Sequence, residues 1–216
     1  MRHKLIILFF GVLLYQGCKK DIDSNKQFVD KRDNESYKII DIGNQTWMAE
    51  NLRYRGGELK PGKGLDSISN DASPLHYYIY KDSKKYYKRF GSLYTWTAAQ
   101  IACPDGWHLP TDNEWQEMEI SLGMTNKEAE GSNWRGTNEG SQLKKNGTSG
   151  FNGLMSGYKS NRGGFRKEKE VTAFWTSTPI LKNTAYHRTL YESETKIHRG
   201  DAKNGDGFCV RCVKDK

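Results

Sequence analysis

The sequence has no apolar run as long as the roughly 20 residues that a membrane-spanning helix needs. Its longest such run, residues 5–15, follows a short basic head and ends shortly before Cys18. A basic head followed by a short apolar run is typical of a secretion signal and argues against a spanning helix. We therefore expect residues 1–17 to be a signal peptide that directs the rest of the 216-residue chain out of the cytoplasm.

Cys18 is the last residue of the sequence Leu-Tyr-Gln-Gly-Cys at residues 14–18. That sequence resembles a bacterial lipobox, whose cysteine is lipidated and becomes the mature N-terminus. We therefore expect Cys18 to anchor the protein to a membrane. Asp21 and Asp23 resemble the surface-export signals of Bacteroidetes-type lipoproteins, which implies an outer-membrane lipoprotein exposed at the cell surface. The alternatives are a plain signal peptide and an uncleaved anchor in which Cys18 is an idle thiol.

Apolar residues are also scarce between residues 19 and 35, where charges of both signs dominate. Such a segment cannot bury enough surface to order itself, so we expect residues 18–36 to be a lipidated cysteine followed by a flexible tether. Residues 37–216 are numerous enough for a single domain with its own core. The sequence thus predicts one extracytoplasmic domain on a lipid anchor.

The sequence has only a small excess of charge of one sign. The formal net charge is +8, and it falls to +6 without residues 1–17 because Arg2 and Lys4 leave with them. That excess is no signature of nucleic-acid binding, and we expect no nucleic-acid partner. Basic residues do cluster at 81–89, where two tyrosines interleave with them as on some polyanion-binding surfaces. We favour a solvated loop there, because export removes most nucleic-acid partners.

Cysteine is rare, with four residues in the chain. If Cys18 carries lipid, then Cys103, Cys209 and Cys212 remain in an oxidising compartment, and three thiols cannot all pair. Either Cys103 closes a long loop with one of the other two, or Cys209 pairs with Cys212, or one thiol stays buried and reduced. Alternation along a strand would put Cys209 and Cys212 on opposite faces, which disfavours a bond between them.

Hydrophobic periodicity predicts two helices and a hairpin in the first half of the domain. Residues 37–42 and 45–48 flank a Gly-Asn dipeptide and are typical of a β-hairpin. Residues 94–101 have the composition of a short helix. A second helix should begin at Thr111, because Thr111 and Glu114 form the S/T-x-x-E capping pattern.

The second half of the domain is predicted to consist of short strands separated by glycines. The predicted strands are 151–158, 164–167, 173–178, 185–191, 195–199 and 208–213. Two early helices packed on a late, mostly antiparallel twisted sheet with long loops make the fold class α+β.

Five segments carry a resemblance to a known family. They are GNQTWMAENL at 43–52, GSLYTW at 91–96, ACPDGWHLPTDNEW at 102–115, FWTST at 174–178 and VRCVKD at 210–215. Together and in this order they resemble the Fibrobacter succinogenes major paralogous domain, which is abundant in lipoproteins of Bacteroidetes and Fibrobacteres. The resemblance spans nearly all of residues 37–216.

That family is similar to the C-type-lectin-like fold, in which a cysteine near the first helices is bonded to one in the final strand. The resemblance therefore implies a C-type-lectin-like domain with a disulfide between Cys103 and Cys212, in agreement with the alternation argument. Cys209 departs from the family pattern and is expected to be a spare, mostly buried thiol. The family carries no activity over to this chain, so function has to be argued from the chemistry of its sites.

No motif predicts a metal, a cofactor or a catalytic residue. Residues 134–139 lack the Glu-Pro-Asn and Trp-Asn-Asp patterns with which C-type lectins bind calcium, so we interpret them as an exposed loop. Cys209 and Cys212 form a lone C-x-x-C, which is weak evidence for zinc or copper. His108 precedes a helix cap and is interpreted as structural, because no motif places a partner near it.

Aromatic residues are the remaining evidence for a site, since aromatic faces bind sugar rings and protein partners alike. Trp134 is flanked by polar residues, which indicates exposure, and Arg135 follows it directly. Tyr86 and Tyr87 lie in the basic cluster. We expect these four residues to form the ligand surface.

The preferred hypothesis is a non-enzymatic module that binds an extracellular polysaccharide or protein through loops near 55–90 and 131–165. One alternative is a redox or copper-dependent enzyme, related to formylglycine-generating enzymes, that uses Cys209 and Cys212. The other is an envelope protein with a purely structural role.

Overall fold

The computed structural model of the protein describes residues 26–70 and 72–216, in which short helices pack against four small sheets. The strands are β1 Gln27–Asp30, β2 Glu35–Ile42, β3 Gln45–Met48, β4 Lys60–Pro61, β5 His76–Tyr78, β6 Leu93–Tyr94, β7 Trp107–His108, β8 Asn133–Arg135, β9 Tyr158–Lys159, β10 Phe165–Arg166, β11 Val171–Leu181, β12 Thr184–Tyr191, β13 Ile197–Lys203 and β14 Val213–Lys214. The helices are α1 Lys84–Phe90, α2 Trp96–Ala102, α3 Asp112–Ser121, α4 Asn126–Glu130 and α5 Glu139–Leu143, with a 3-10 turn at Tyr80–Asp82. None of the helices in these residues is long and apolar enough to cross a membrane. The predicted signal peptide, the lipidation of Cys18 and the first part of the predicted tether lie outside the described residues.

The first large sheet joins the two ends of the domain. Its order is β1-β2-β3-β14-β7, and all of its pairings are antiparallel. The predicted hairpin is confirmed as β2 and β3, which turn tightly at Gly43, where φ is +59°. The C-terminal strand β14 lies between β3 and β7, so Val213 is paired with both Trp47 and His108.

Ordered structure begins earlier than the sequence predicts. Strand β1 pairs with β2, the ring centroids of Phe28 and Trp107 are 5.1 Å apart, and Asp30 is fully buried. The Arg32 guanidinium donates to the Asp30 carboxylate at 2.7 Å. Residues 27–36 therefore belong to the domain rather than to a flexible tether, because their apolar and acidic side chains find buried partners.

The two predicted helices are confirmed as α2 and α3. Helix α3 begins with a complete capping box, in which the Glu114 amide donates to Thr111 Oγ1 at 3.1 Å and the Thr111 amide donates to Glu114 Oε2 at 2.8 Å. The expectation of only two helices is wrong, since α1, α4 and α5 are also present. Helix α1 replaces the expected solvated loop because Tyr86 and Phe90, four residues apart, stack on each other on one side while the lysines of α1 remain exposed.

The second large sheet has the order β11-β12-β13-β8 and is also antiparallel. Four of the predicted late strands are confirmed as β10, β11, β12 and β13, so the α+β class is confirmed as well. The expected strand at 151–158 is almost entirely irregular chain, and 208–213 forms only isolated bridges before β14. An aromatic core with ring centroids 5.1 to 6.0 Å apart packs in the interior, and it consists of Trp47, Trp115, Phe151 and Phe174.

A disulfide bond joins Cys103, which follows α2, to Cys212, which precedes β14, and this confirms the predicted pair. The two Cα atoms are 5.9 Å apart, although the residues are 109 positions apart in the chain. Cys209 is buried and unbonded, as expected. The bond ties the helical part of the chain to its last strand.

Candidate functional site

Strand β12 presents its side chains alternately to the core and to a cleft. Arg188 and Leu190 are fully buried on the core side. His187, Thr189 and Tyr191 alternate with them and face the other way, because successive side chains of a strand point to opposite faces. Strand β11 adds the residues that pair with these three, so the two strands together form a continuous outer face.

This outer face is the floor of a cleft of about 450 Å³. Its aromatic wall consists of Tyr158, Tyr191 and Phe208, and the rings of Tyr158 and Phe208 pack edge to face with centroids 5.8 Å apart. Asn161 and Asp206 lie on its polar side. The volume suits a small ligand, because ligand pockets commonly span about 300–1,000 Å³.

His187 lies in the cleft and has an unused nitrogen. The residue is only 8 % exposed, and its ring packs 5.1 Å from Phe208. The backbone of Gly200 hydrogen-bonds the ring, but Nδ1 has no partner among the described residues. Burial lowers the pKa of His187 to about 3, so the ring is neutral at pH 7. A buried nitrogen without a partner is costly, and a ligand that hydrogen-bonds Nδ1 would remove that cost.

Asn161 and Asp206 are held in place by hydrogen bonds. The backbone amide of Asn161 donates to the Asp206 carboxylate at 2.7 Å, and its side-chain amide donates to Asn70 Oδ1 at 2.8 Å. Burial raises the pKa of Asp206, although hydrogen bonds from the backbone of Asn161 and Lys203 oppose the shift. Carboxylate and amide groups beside an aromatic wall supply the acceptors and donors that a hydroxyl-rich ligand requires.

Trp134 lies at the edge of the same face, as an extension of the aromatic wall. Strand β8 pairs with β13, so that Trp134 is opposite His198, and their rings are 5.3 Å apart. The Trp134 ring is also 5.1 Å from Tyr191, which lines the cleft. The tryptophan is 40 % exposed, which agrees with the expectation from its polar neighbours.

The other three residues of the expected ligand surface do not join Trp134. Arg135 is 4 % exposed, and its guanidinium donates to the Glu119 carboxylate at 2.7 and 2.9 Å. Tyr86 is half-buried against Phe90, and Tyr87 lies beneath the Arg55 guanidinium at 4.0 Å. Of the four residues, only Trp134 therefore lies beside the cleft, because neighbouring strand residues point to opposite faces and the two tyrosines lie on α1.

Arg135 belongs instead to a buried ionic cluster that the sequence did not predict. The cluster contains two carboxylates and three guanidiniums, from Asp112, Glu119, Arg135, Arg188 and Arg199. Arg188 binds both carboxylates, at 2.7 Å to Asp112 and 2.6 Å to Glu119. Burial would raise the pKa of Asp112, but hydrogen bonds and charge from Arg199 and Arg188 outweigh it and lower the pKa to about 2. The cluster fastens α3 to β8, β12 and β13.

His108 does have carboxylate partners, which no motif indicated. One ring nitrogen lies 2.8 Å from Glu114 Oε1, and the other lies 2.6 Å from Asp215 Oδ1. Burial alone would lower the pKa of His108, but hydrogen bonds to Asp215 and Glu114 raise it. These contacts connect the start of α3 to the end of the chain, as a structural histidine does.

The redox alternative requires Cys209 and Cys212 as two free thiols, and the structure does not provide them. Cys212 is bonded to Cys103, and Cys209 is buried beside Asn51, whose side-chain amide donates to its sulfur at 3.2 Å. Burial raises the pKa of the Cys209 thiol.

No group of three or more histidine, cysteine, aspartate and glutamate side chains is placed to hold a metal in residues 26–70 and 72–216. The expectation of an exposed loop at 134–139 is wrong in part, because this segment runs from β8 to the first residue of α5 and the carboxylate of Glu139, which is buried, accepts from the backbone amides of Thr137 and Asn138.

The cleft residues His187, Tyr191 and Asp206 were missed from the sequence. A signal was present, because His187, Thr189 and Tyr191 occupy alternate positions of a predicted strand. The alternation does not indicate which face of the strand is covered by the rest of the protein. It also does not predict that residues 158–162 and 206–208 lie next to this strand.

Comparison with known proteins agrees with the resemblance seen in the motifs. The family model for the Fibrobacter succinogenes major domain matches residues 40–214. Searches of curated proteins and of solved structures found no match.

Proposed function

The chain belongs to the Fibrobacter succinogenes major domain family, and from that premise we propose that it is a lipid-anchored module of the cell envelope that binds an extracellular saccharide. The saccharide occupies the cleft on the outer face of β11 and β12. The module is non-enzymatic, and lipid on Cys18 holds it at the outer membrane with the domain facing outward.

The observation that carries this proposal is the combination of an aromatic wall with an unpartnered polar group in one preformed cleft. Tyr158, Tyr191 and Phe208 offer flat apolar faces, and sugar rings present apolar C–H faces of matching shape. His187 Nδ1 and the Asp206 carboxylate can accept hydrogen bonds from sugar hydroxyls. Trp134 extends the wall beyond the cleft, which suits a chain of sugars better than a single small molecule.

We also propose that the fold is a relative of the C-type-lectin-like fold. Two features support this. The first and last parts of the domain are paired in one sheet, and a disulfide joins the segment after α2 to the segment before the final strand.

The binding proposal is tested on a glycan array with the purified protein and two tyrosine variants. Tyr191→Ala removes an aromatic face from the cleft, so affinity for the bound glycan should fall by roughly tenfold, or about 1.4 kcal/mol. Tyr186→Ala is the matched control, because Tyr186 is also half-buried on β12 but does not line the cleft. Equal affinities for the two variants, or an array with no bound glycan, would contradict the proposal.

The anchor is tested separately. Mass spectrometry of the mature protein should show a diacylated or triacylated Cys18, and Cys18→Ala should move the protein from the membrane to the soluble fraction. An unmodified cysteine in the membrane fraction would refute the anchor and leave the cleft proposal intact.

A further inference from the structure

A second cavity, of about 360 Å³, lies at the C-terminal end of α1. Phe90, Leu154 and Met155 form its apolar floor. A smaller pocket adjoins it, shares Arg89, Phe90 and Leu154 with it, and extends to Asn51 and Arg211. We call the two together the basic groove, because cationic side chains dominate their rims.

The cations of the larger cavity greatly outnumber its acids. Arg89, Lys144, Lys145 and Lys169 line it, against the single carboxylate of Glu192. Lys144 donates to the Glu192 backbone carbonyl at 2.8 Å rather than to its carboxylate. Within the part of the chain that the structure describes, none of the four cations forms a salt bridge.

Two lysines just outside the groove form salt bridges. Lys81 pairs with Glu168 at 2.8 Å, and Lys167 pairs with Glu170 at 2.8 Å. Lys169 is adjacent to Glu168 in the sequence, but the Glu168 carboxylate is already paired with Lys81. The carboxylates on either side of Lys169 in the sequence, Glu168 and Glu170, are thus each paired with another lysine, which leaves the Lys169 ammonium to an external anion.

The backbone at Lys169 has an unusual conformation. Its φ is +66°, in the left-handed region that disfavours residues with a side chain. The conformation is held by a hydrogen bond from the Lys169 amide to the Met155 carbonyl, at 3.1 Å across the groove. Lys167, which does not line the groove, has the same conformation with a φ of +61°, so the two lysines differ in their place at the cavity and not in their backbone.

Arg211 contributes positive charge from below the smaller pocket. It is 1 % exposed, and its donors reach only neutral oxygens, among them Asn51 Oδ1 at 2.7 Å and the Asn152 carbonyl at 3.1 Å. Burial lowers its pKa to about 9, so the guanidinium remains charged at pH 7. A buried cation without a carboxylate partner strengthens the positive potential of the groove above it.

We propose that the basic groove binds the sulfate or carboxylate groups of an acidic extracellular saccharide. The site is recessed, which suits an inserted sugar substituent better than the broad surface of a bilayer. Its one large ring, Phe90, is 4 % exposed and offers no platform for nucleobase stacking. The groove is distinct from the sheet cleft and does not depend on the function proposed for that cleft.

The test uses two lysines that share one backbone conformation. Lys169→Gly and Lys167→Gly both place glycine where φ exceeds +60°, so neither should disturb the fold, but only Lys169 lines the groove. The probe is a heparin-derived hexasaccharide, compared with its fully desulfated, N-acetylated form, in titration calorimetry on the full chain. Lys169→Gly should weaken binding of the sulfated probe roughly tenfold, the size of one charge-assisted contact, and Lys167→Gly should not.

Further outcomes of the same measurements test the proposal. Binding of the sulfated probe should weaken steeply with added salt, and Lys169→Gly should reduce the slope of log K against log[salt]. Equal effects of the two glycine variants, equal affinity for the desulfated probe, or displacement of the probe by anionic phospholipid vesicles would each overturn the proposal. Tyr191→Ala should leave binding of the sulfated probe unchanged, so this test fails independently of the one for the sheet cleft.

Discussion

Replacement of Glu119 by glutamine should destabilise the protein strongly. Glu119 is fully buried and binds two guanidiniums, with Oε1 2.6 Å from Arg188 Nε and Oε2 2.7 Å from Arg135 Nη1. The amide of glutamine keeps the volume but removes the negative charge. Three guanidiniums would then share the single carboxylate of Asp112 in a dry interior.

The expected magnitude follows from the burial of both partners. Breaking a buried pair by removing one partner commonly costs about 3–5 kcal/mol, because the remaining charge is left uncompensated. With a urea m value of about 2 kcal/mol/M, the unfolding midpoint should fall by about 2 M. Tryptophan fluorescence reports the transition directly, since Trp115 packs 5.9 Å from the Arg188 guanidinium.

Glu117→Gln is the matched control, because Glu117 lies on the same helix and is exposed. Its free energy of unfolding should change by less than about 0.5 kcal/mol. Adding Arg135→Met to Glu119→Gln should restore part of the lost stability, because it removes one uncompensated guanidinium. If Glu119→Gln and Glu117→Gln unfold at the same urea concentration, the cluster does not stabilise the fold as argued.

Three other predictions concern single features of the fold. Replacing Cys103 and Cys212 by serine should lower the free energy of unfolding by about 4–5 kcal/mol, because the bond closes a loop with a sequence separation of 109. Burial lowers the pKa of His187 to about 3 from 6.5, so the unfolded chain binds a proton first as pH falls, and this residue should cost the native state about 2 kcal/mol between pH 7 and pH 5. Thr111→Ala should cost about 1 kcal/mol, because it removes the hydroxyl that caps α3.

Each of these has a control in urea unfolding. Serine at Cys209, which is buried but unbonded, leaves the disulfide intact and should cost less than loss of the bond. His187→Gln cannot titrate, so its stability should depend less on pH than that of the native protein between pH 7 and pH 5, and parallel curves would refute the assignment. Thr125→Ala removes the same kind of cap from α4, which has only five residues. An equal or larger loss of stability in Thr125→Ala would show that the contribution of a cap to stability does not increase with helix length.

Local features of the domain could be predicted because short-range chemistry decides them. A Gly-Asn dipeptide between two β-prone runs specifies a hairpin, and a threonine three residues before a glutamate specifies the start of a helix. The same capping pattern occurs at Thr125 and Glu128, so α4 could have been found by the same argument. Helix α1 was missed because its strongly basic composition concealed the spacing of Tyr86 and Phe90.

The candidate site was less predictable, and β8 shows why. Trp134 and Arg135 are adjacent and polar in context, so both looked exposed. Once β8 is a strand, one side chain must point outward and the other inward. Only the partners in α3 and β13 determine that the tryptophan faces the cleft and the arginine enters the ionic cluster.

The sequence by itself determined the family, the α+β class, the pairing of Cys103 with Cys212 through the family resemblance, and the elements whose signals lie within a few residues of one another. The tertiary structure alone decided where the clefts lie. The sheet cleft needs residues from 158–162, 187–191 and 201–208, and the basic groove needs others from 89 to 192. No local pattern couples such distant segments, because their proximity results from burial of the opposite faces of the same strands and helices.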